Sequence, residues 1–210
     1  MDLSYAQLES ALASHLEVHP EKIGTFRARV KQLQRLQFPP GVNVGRGTKM
    51  LYSGAHLFQM VTAFELIALG LPGLTATSLV TQNWQPISAG FALAIKREFR
   101  SEYNGTPSRL IYLRIEHNSL INLEHAGEPR AMNVHVYVDD LETIREDLED
   151  NHDRTSNRFI LLCASHIMRS VLDGARRAKV ENPEIDDEFA RWLEVAKSAL
   201  PSADEDAGKL

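Results

Sequence analysis

The spacing of the apolar side chains changes near residue 105, and this change constrains the fold more than any other feature. Before it, Leu, Val and Phe recur at intervals of three and four residues, as in amphipathic helices. After it, 110–115 and 132–138 are rich in β-branched and aromatic residues. The segment 103–107, with the letters YNGTP, separates the two patterns. The pattern predicts an α+β fold, with a helical first part followed by a part that contains antiparallel strands and helices.

The first hundred residues carry the start and stop signals of several helices. Ser4 and Gln7 have the spacing of a capping box at the start of a first helix. A second helix is predicted from Pro20 or Thr25 to about Leu36. Further helices are predicted from residue 54 to Gly70, over 74–84 and over 87–100.

The segment 38–53, with the letters FPPGVNVGRGTKMLYS, interrupts this helical pattern. Its Pro and Gly residues end the second helix. Two short strands, 42–44 and 49–52, flank a Gly-Arg-Gly turn centred on Arg46. The segment therefore predicts a small hairpin with a basic tip.

The second half of the chain predicts strands followed by helices. Asp140 caps a charged helix that turns three apolar side chains inward: Leu141, Ile144 and Leu148. A more apolar helix is predicted from Asn157 to Arg177, and an amphipathic helix over 186–200. The polar residues 201–210 are predicted to be a disordered tail.

Charge is unevenly distributed along the chain. The whole chain has a formal net charge of -5, but 19–52 contains seven basic residues and a single acid, Glu21, for a local charge of +6. The remainder therefore carries -11. The distribution of charge matters more than its sum, so the negative net charge does not argue against a nucleic-acid partner.

The second predicted helix concentrates polar and basic side chains on one stripe. At about 100° per residue, the stripe contains Arg27, Lys31, Gln34 and Arg35, while Phe26, Val30 and Leu33 face away from it. Arg and Lys bind phosphates, and Arg and Gln also read guanine and adenine at base edges. The alternative is that the stripe is only the solvated side of an amphipathic helix. The basic hairpin next to it and the scarcity of acids favour DNA binding.

The order of these pieces resembles a known DNA-binding domain. The chain is similar here to the MerR-type winged helix-turn-helix domain. The segments that correspond are, in order, a helix, a basic helix ending in RVKQLQRLQFPP, the hairpin GVNVGRGTKMLYS and the helix pair HLFQMVTAFELIALGLPGLTATSLV. In that family, a wing with an Arg and a closing Tyr-Ser leads into two helices separated by a Leu-Gly turn. Arg46, Tyr52-Ser53 and Leu69-Gly70-Leu71 correspond here. The resemblance covers about the first 85 residues.

The residues and the resemblance together define a predicted organisation and function. We expect a winged helix-turn-helix domain over 1–85 and an α/β dimerisation or effector domain over 86–200. We expect a transcriptional regulator that binds specific double-stranded DNA sequences as a homodimer, with the apolar helix 159–172 either as the shared surface or as core. The predicted DNA-binding residues are Arg27, Arg29, Lys31, Gln34, Arg35, Arg46, Lys49 and Tyr52.

An alternative function stays open at this point. The chain could be a module that does not bind DNA, or a small-ligand sensor, with its activity in the strands and helices after residue 104. An effector or a contact with the transcription machinery is a further possible partner. The discriminating feature is Arg46 at a glycine-flanked tip, because a protein-binding adaptor does not need it.

Other features argue against an enzyme, a metal site or a membrane protein. The single cysteine, Cys163, excludes a disulfide within one chain and favours the cytoplasm. The eight histidines are scattered, and the pair His15 and His19 has no evident third ligand. No apolar run approaches the length that spans a bilayer, and the amino-terminal residues do not resemble an export signal. We therefore expect no catalytic residues, metal or cofactor.

Overall fold

The computed structural model combines helices with one antiparallel sheet. The residues described are 2–42, 50–104, 110–116, 134–150, 159–180, 187–192 and 194, with side chains except at 96–104 and 150. The helices are α1 (Tyr5–His15), α2 (Ile23–Arg35), α3 (Gly54–Ala68), α4 (Gly73–Gln82), α5 (Trp84–Asn104), α6 (Leu141–Asp150) and α7 (Ala164–Arg177). The strands are β1 (Ile111–Glu116), β2 (His135–Asp140) and β3 (Ile160–Cys163). The mixed α+β class expected from the sequence is confirmed.

Helix α1 begins with the predicted capping box. The Ser4 hydroxyl accepts a hydrogen bond from the Gln7 backbone N–H at 3.3 Å, and the Gln7 side-chain oxygen accepts one from the Ser4 N–H at 2.9 Å. These bonds satisfy two N–H groups that a helix leaves unpaired at its start. Just before the helix, Leu3 and Tyr52 exchange two backbone hydrogen bonds of 2.8 Å each. This bridge joins the chain's beginning to the residue before the Ser53 cap of α3.

Helix α2 follows a short 3-10 turn at Pro20–Lys22 and buries one face, as predicted. Its buried side chains are Phe26, Val30 and Leu33. Of the hairpin predicted after it, 43–49 lies outside the described residues, so the wing stays a prediction.

Helices α3 and α4 are separated by the predicted Leu-Gly turn. Gly70 has a φ of +98°, a left-handed backbone conformation that costs free energy for residues with a Cβ. Its backbone N–H donates to the Ile67 carbonyl, and the Leu71 N–H donates to the Leu66 carbonyl, each at 3.0 Å. These bonds occupy carbonyls that the helix end would leave open, so α3 ends here.

The sheet has the order β2-β1-β3, and both pairings are antiparallel. The central strand places Leu113 opposite Val138 on one side and opposite Leu162 on the other. Asp140, at the end of β2, caps α6 by accepting from the Thr143 N–H at 3.0 Å, as predicted.

The prediction of a helix starting at Asn157 is wrong for 160–163, which form β3. This run pairs with β1 from Ile160 opposite Ile115 to Cys163 opposite Tyr112. A short apolar run fits a buried strand and a buried helix equally well by periodicity, and only pairing with β1 decides between them. The stretch 159–172 consequently contains β3 followed by the first part of α7, and is not the single apolar helix considered as a subunit surface.

One hydrophobic core includes residues from both sides of residue 85. Leu12 of α1, Leu113 of β1 and Val171 of α7 all belong to it and are fully buried. Helix α1 packs closely on α7, where a Cβ added to Gly174 would lie 2.9 Å from the Ala11 carbonyl oxygen. The division into 1–85 and 86–200 stays a prediction, and the observed core is shared between the two ranges.

Residues 187–192 form a helical segment that contacts the start of α3. The Glu188 carboxylate accepts from the backbone N–H groups of Gly54 at 3.2 Å and Ala55 at 2.8 Å. A carboxylate at this end of a helix also complements the helix dipole. The rings of Phe189 and Trp192 lie 5.4 and 5.8 Å from that of Phe58. Within the described ranges, no helix combines the length and the apolar character needed to cross a bilayer.

We predict that Gly174→Ala destabilises the protein by about 1–3 kcal/mol, because the new methyl group would push α1 and α7 apart. The obstacle is the Ala11 backbone, which cannot rotate away as a side chain could. Gly24→Ala is the matched control, since a Cβ there meets nothing within 4 Å. It should leave stability unchanged or raise it by up to about 1 kcal/mol. Urea unfolding measures both, and equal effects of the two substitutions would refute the close packing of α1 on α7.

Candidate nucleic-acid interface

Three basic side chains extend along one flank of α2. Arg27, Lys31 and Arg35 are four residues apart and exposed, so they lie on successive turns of the helix. The opposite side of the helix is held in the core by its three apolar side chains. The cationic flank is therefore presented to solvent in a fixed orientation. We call Arg27, Lys31 and Arg35 the basic flank.

Arg27 is held by a carboxylate from α1. Its Nε and Nη2 atoms donate to the two carboxylate oxygens of Glu9, each at 2.7 Å. The Glu9 side chain is 11% exposed and that of Arg27 is 47% exposed. Hydrogen bonding from Arg27 holds the pKa of Glu9 below its usual value, and the same contact raises the pKa of Arg27. This two-pronged pair joins α1 to α2 and fixes the direction of the guanidinium.

Tyr52 takes a different role from the predicted one. Its side chain is 2% exposed, so it cannot contact a duplex at the surface, and its inclusion among the DNA-contacting residues is corrected. The backbone bridge to Leu3 holds it inside the protein. Its hydroxyl accepts from the Gln34 side-chain N–H at 2.8 Å, and burial raises the pKa of Tyr52. Tyr52 therefore positions Gln34, which is itself partly exposed beside the basic flank.

Tyr5, the first residue of α1, lies close to both Tyr52 and Glu9. Its ring lies 6.4 Å from that of Tyr52. Burial, followed by the negative charge of Glu9, raises the pKa of Tyr5 to about 12. The Tyr5 hydroxyl is neutral at physiological pH, as that of an ordinary tyrosine is, and the raised pKa keeps it neutral in more alkaline solution as well.

The remaining predicted contact residues do not all join the basic flank. Arg29 is exposed, but it lies two residues from both Arg27 and Lys31, on another side of α2. There it lines a cavity of about 330 Å³ with side chains of α3, including Phe64 and Ile67. Arg46 and Lys49 lie outside the described residues.

Sequence reasoning did not identify Glu9 as part of this site. One signal was available, because Glu9 is the single acid in α1 and its neighbours Leu8, Ala11 and Leu12 are buried. An acid in such surroundings needs a partner when it is charged. A similar contact joins α1 to α3, where the His15 Nε2 lies 2.9 Å from a Glu65 carboxylate oxygen.

The described residues give no metal site. Among them, no group of three or more His, Cys, Asp or Glu side chains is arranged to hold a metal ion. His56 illustrates a local structural role, since its Nδ1 accepts from the Ser53 N–H at 3.1 Å at the start of α3. Burial lowers the pKa of His56, which favours the neutral ring that this contact requires.

Comparison with known proteins does not assign this arrangement to a family. No family model and no curated protein matches the sequence.

We predict that the stabilising effect of Glu9 disappears in acid. The pKa of Glu9 is lower in the folded protein than the ordinary value of 4.5. Its contribution to the free energy of unfolding is therefore complete above pH 4.5 and is lost as the pH falls through the folded pKa. Glu9→Gln should be less stable than the original protein at pH 7, and this difference should shrink below pH 4.5.

Urea unfolding between pH 7 and pH 3 measures the effect. Glu21→Gln is the matched control, because the Glu21 side chain is 85% exposed and the substitution should change stability little at any pH. The prediction is contradicted if the difference in stability between Glu9→Gln and the original protein stays constant over the whole pH range.

Proposed function

We propose that this protein binds double-stranded DNA through the basic flank of α2 and acts as a transcriptional regulator. The observation that carries the proposal is the alignment of Arg27, Lys31 and Arg35 on successive turns of a helix whose other side is buried. An exposed helix with this charge fits the major groove, which is about 12 Å wide and admits one α-helix. The resemblance of residues 1–85 to MerR-type domains agrees with this use of the second helix.

Each side chain of the site has a distinct part in the proposal. Lys31 and Arg35 are exposed and neutralise phosphates or read base edges. Arg27 keeps its position through Glu9 and offers its remaining donors to a phosphate. Gln34, held by Tyr52, is partly exposed beside the basic flank and would contact an adenine edge in this proposal.

The distribution of charge supports a single docking orientation. The segment 19–52 carries +6 and the rest of the chain carries -11. The acidic surfaces repel a duplex, while the basic flank attracts it, so the overall field steers α2 toward DNA. In this proposal two copies of the chain occupy two half-sites, because a single helix reads too few base pairs for high specificity.

We predict that Lys31→Ala combined with Arg35→Ala weakens duplex binding at least about tenfold near 0.1 M salt. The two lost phosphate contacts should also reduce the slope of log affinity against log salt by about 2. Fluorescence anisotropy with a labelled 30-base-pair duplex measures both quantities. Both residues are exposed, so the double variant should fold normally.

The matched control removes the same charge from elsewhere on this segment. Lys22, in the turn before α2, and Arg29 are exposed but lie off the basic flank. Lys22→Ala combined with Arg29→Ala should weaken binding much less. Equal losses in the two double variants would show that only total charge matters. Absence of salt-dependent binding by the unmodified protein would refute the proposed function itself.

A further inference from the structure

A surface groove runs along α6, far along the chain from the basic flank. It has a volume of about 740 Å³ and an apolar lining of Leu110, Leu141, Ile144 and Leu148. Ile144 is buried, whereas Leu141 is 58% exposed and Leu148 is 42% exposed. The prediction that the three apolar side chains of α6 turn inward is therefore wrong for Leu141 and Leu148. Ile144 anchors the helix, and the two leucines on the same side face solvent. Exposed apolar side chains that share a groove indicate a binding surface.

The spacing of these leucines fits a helical partner. Leu141 and Leu148 are seven residues apart, or about 10 Å along the helix axis. Ile144 lies between them, so the three follow the one-four-eight pattern by which helices pack side by side. A partner helix of two to three turns would bury both leucines along its own apolar stripe.

The charge of α6 indicates which sign of charge its partner should carry. The helix contains five acids and one base, Arg145, for a formal charge of -4. One acid, Asp147, is bonded to the buried Arg114 at 2.7 Å. The charged residues that line the groove are Asp140, Glu142, Arg145 and Glu149. Arg145 lies 4.0 Å from Glu149, and three acids against one base leave the rim net acidic. Two copies of α6 would repel each other, and duplex DNA would be repelled as well.

We propose that the α6 groove docks a basic amphipathic helix of another protein. The partner's apolar side chains cover Leu141 and Leu148, and its Lys or Arg side chains face Glu142 and Glu149. This inference rests on α6 and not on the DNA-binding proposal, so either can fail alone.

The test uses a fluorophore-labelled 14-residue peptide of Leu and Lys that forms an amphipathic helix, titrated with the full chain and followed by anisotropy. Leu141→Ser combined with Leu148→Ser should weaken binding at least about tenfold. Glu142→Gln combined with Glu149→Gln should weaken it roughly three- to tenfold and reduce its salt dependence.

Two controls separate this groove from general adhesion. Leu69→Ser combined with Leu74→Ser removes leucines that are 56% and 67% exposed elsewhere, and it should leave binding unchanged. A peptide with the same Leu positions and Glu in place of Lys should not bind. The proposal is overturned if the unmodified chain does not bind the Lys peptide, if the two Leu double variants behave alike, or if the Glu peptide binds equally well. It is also overturned if sedimentation shows a dimer of the chain that Leu148→Ser dissociates.

Discussion

The packing of α1 against α7 is the contact on which the rest of the arrangement depends. The backbones approach so closely at Gly174 that a side chain there would meet the Ala11 carbonyl. From this fixed position α1 reaches α2 through Glu9 and Arg27, and it reaches α3 through His15 and Glu65. A helix in the core therefore determines where the exposed helix lies. The orientation of α2 thus depends on α1, which is packed on residues 164–177, as well as on its own sequence.

Buried side chains next to α2 hold two of its more exposed side chains in place. Tyr52 is fixed by its backbone pairing with Leu3, and through its hydroxyl it holds Gln34. Glu9 is fixed in the core and holds Arg27. A side chain that is held before binding loses less conformational entropy when a partner arrives, so such supports favour tight and specific contacts. Lys31 and Arg35 lie on the same flank and supply long-range attraction.

Local signals predicted much of the fold, and contacts between distant residues account for what was missed. The capping box at Ser4, the buried face of α2 and the end of α3 at Gly70 are encoded within a few residues, and each is observed. Strand β3 was missed because its identity depends on pairing with β1, almost fifty residues earlier. The Glu9 to Arg27 pair joins two helices, and helical periodicity describes only one helix at a time. Tyr52 was expected at the surface because its burial follows from a bridge to Leu3, which no local pattern contains.

The two charged helices explain how one small chain can serve two partners without competition in our proposals. Helix α2 carries four basic residues and no acid, while α6 has a formal charge of -4. A polyanion is attracted to the first and repelled by the second, and a basic helix experiences the reverse. Helix α2 buries its apolar stripe and α6 buries Ile144, so the binding preferences of both helices come from the side chains that they leave exposed. Charge segregation thus provides specificity at each surface by excluding the partner of the other.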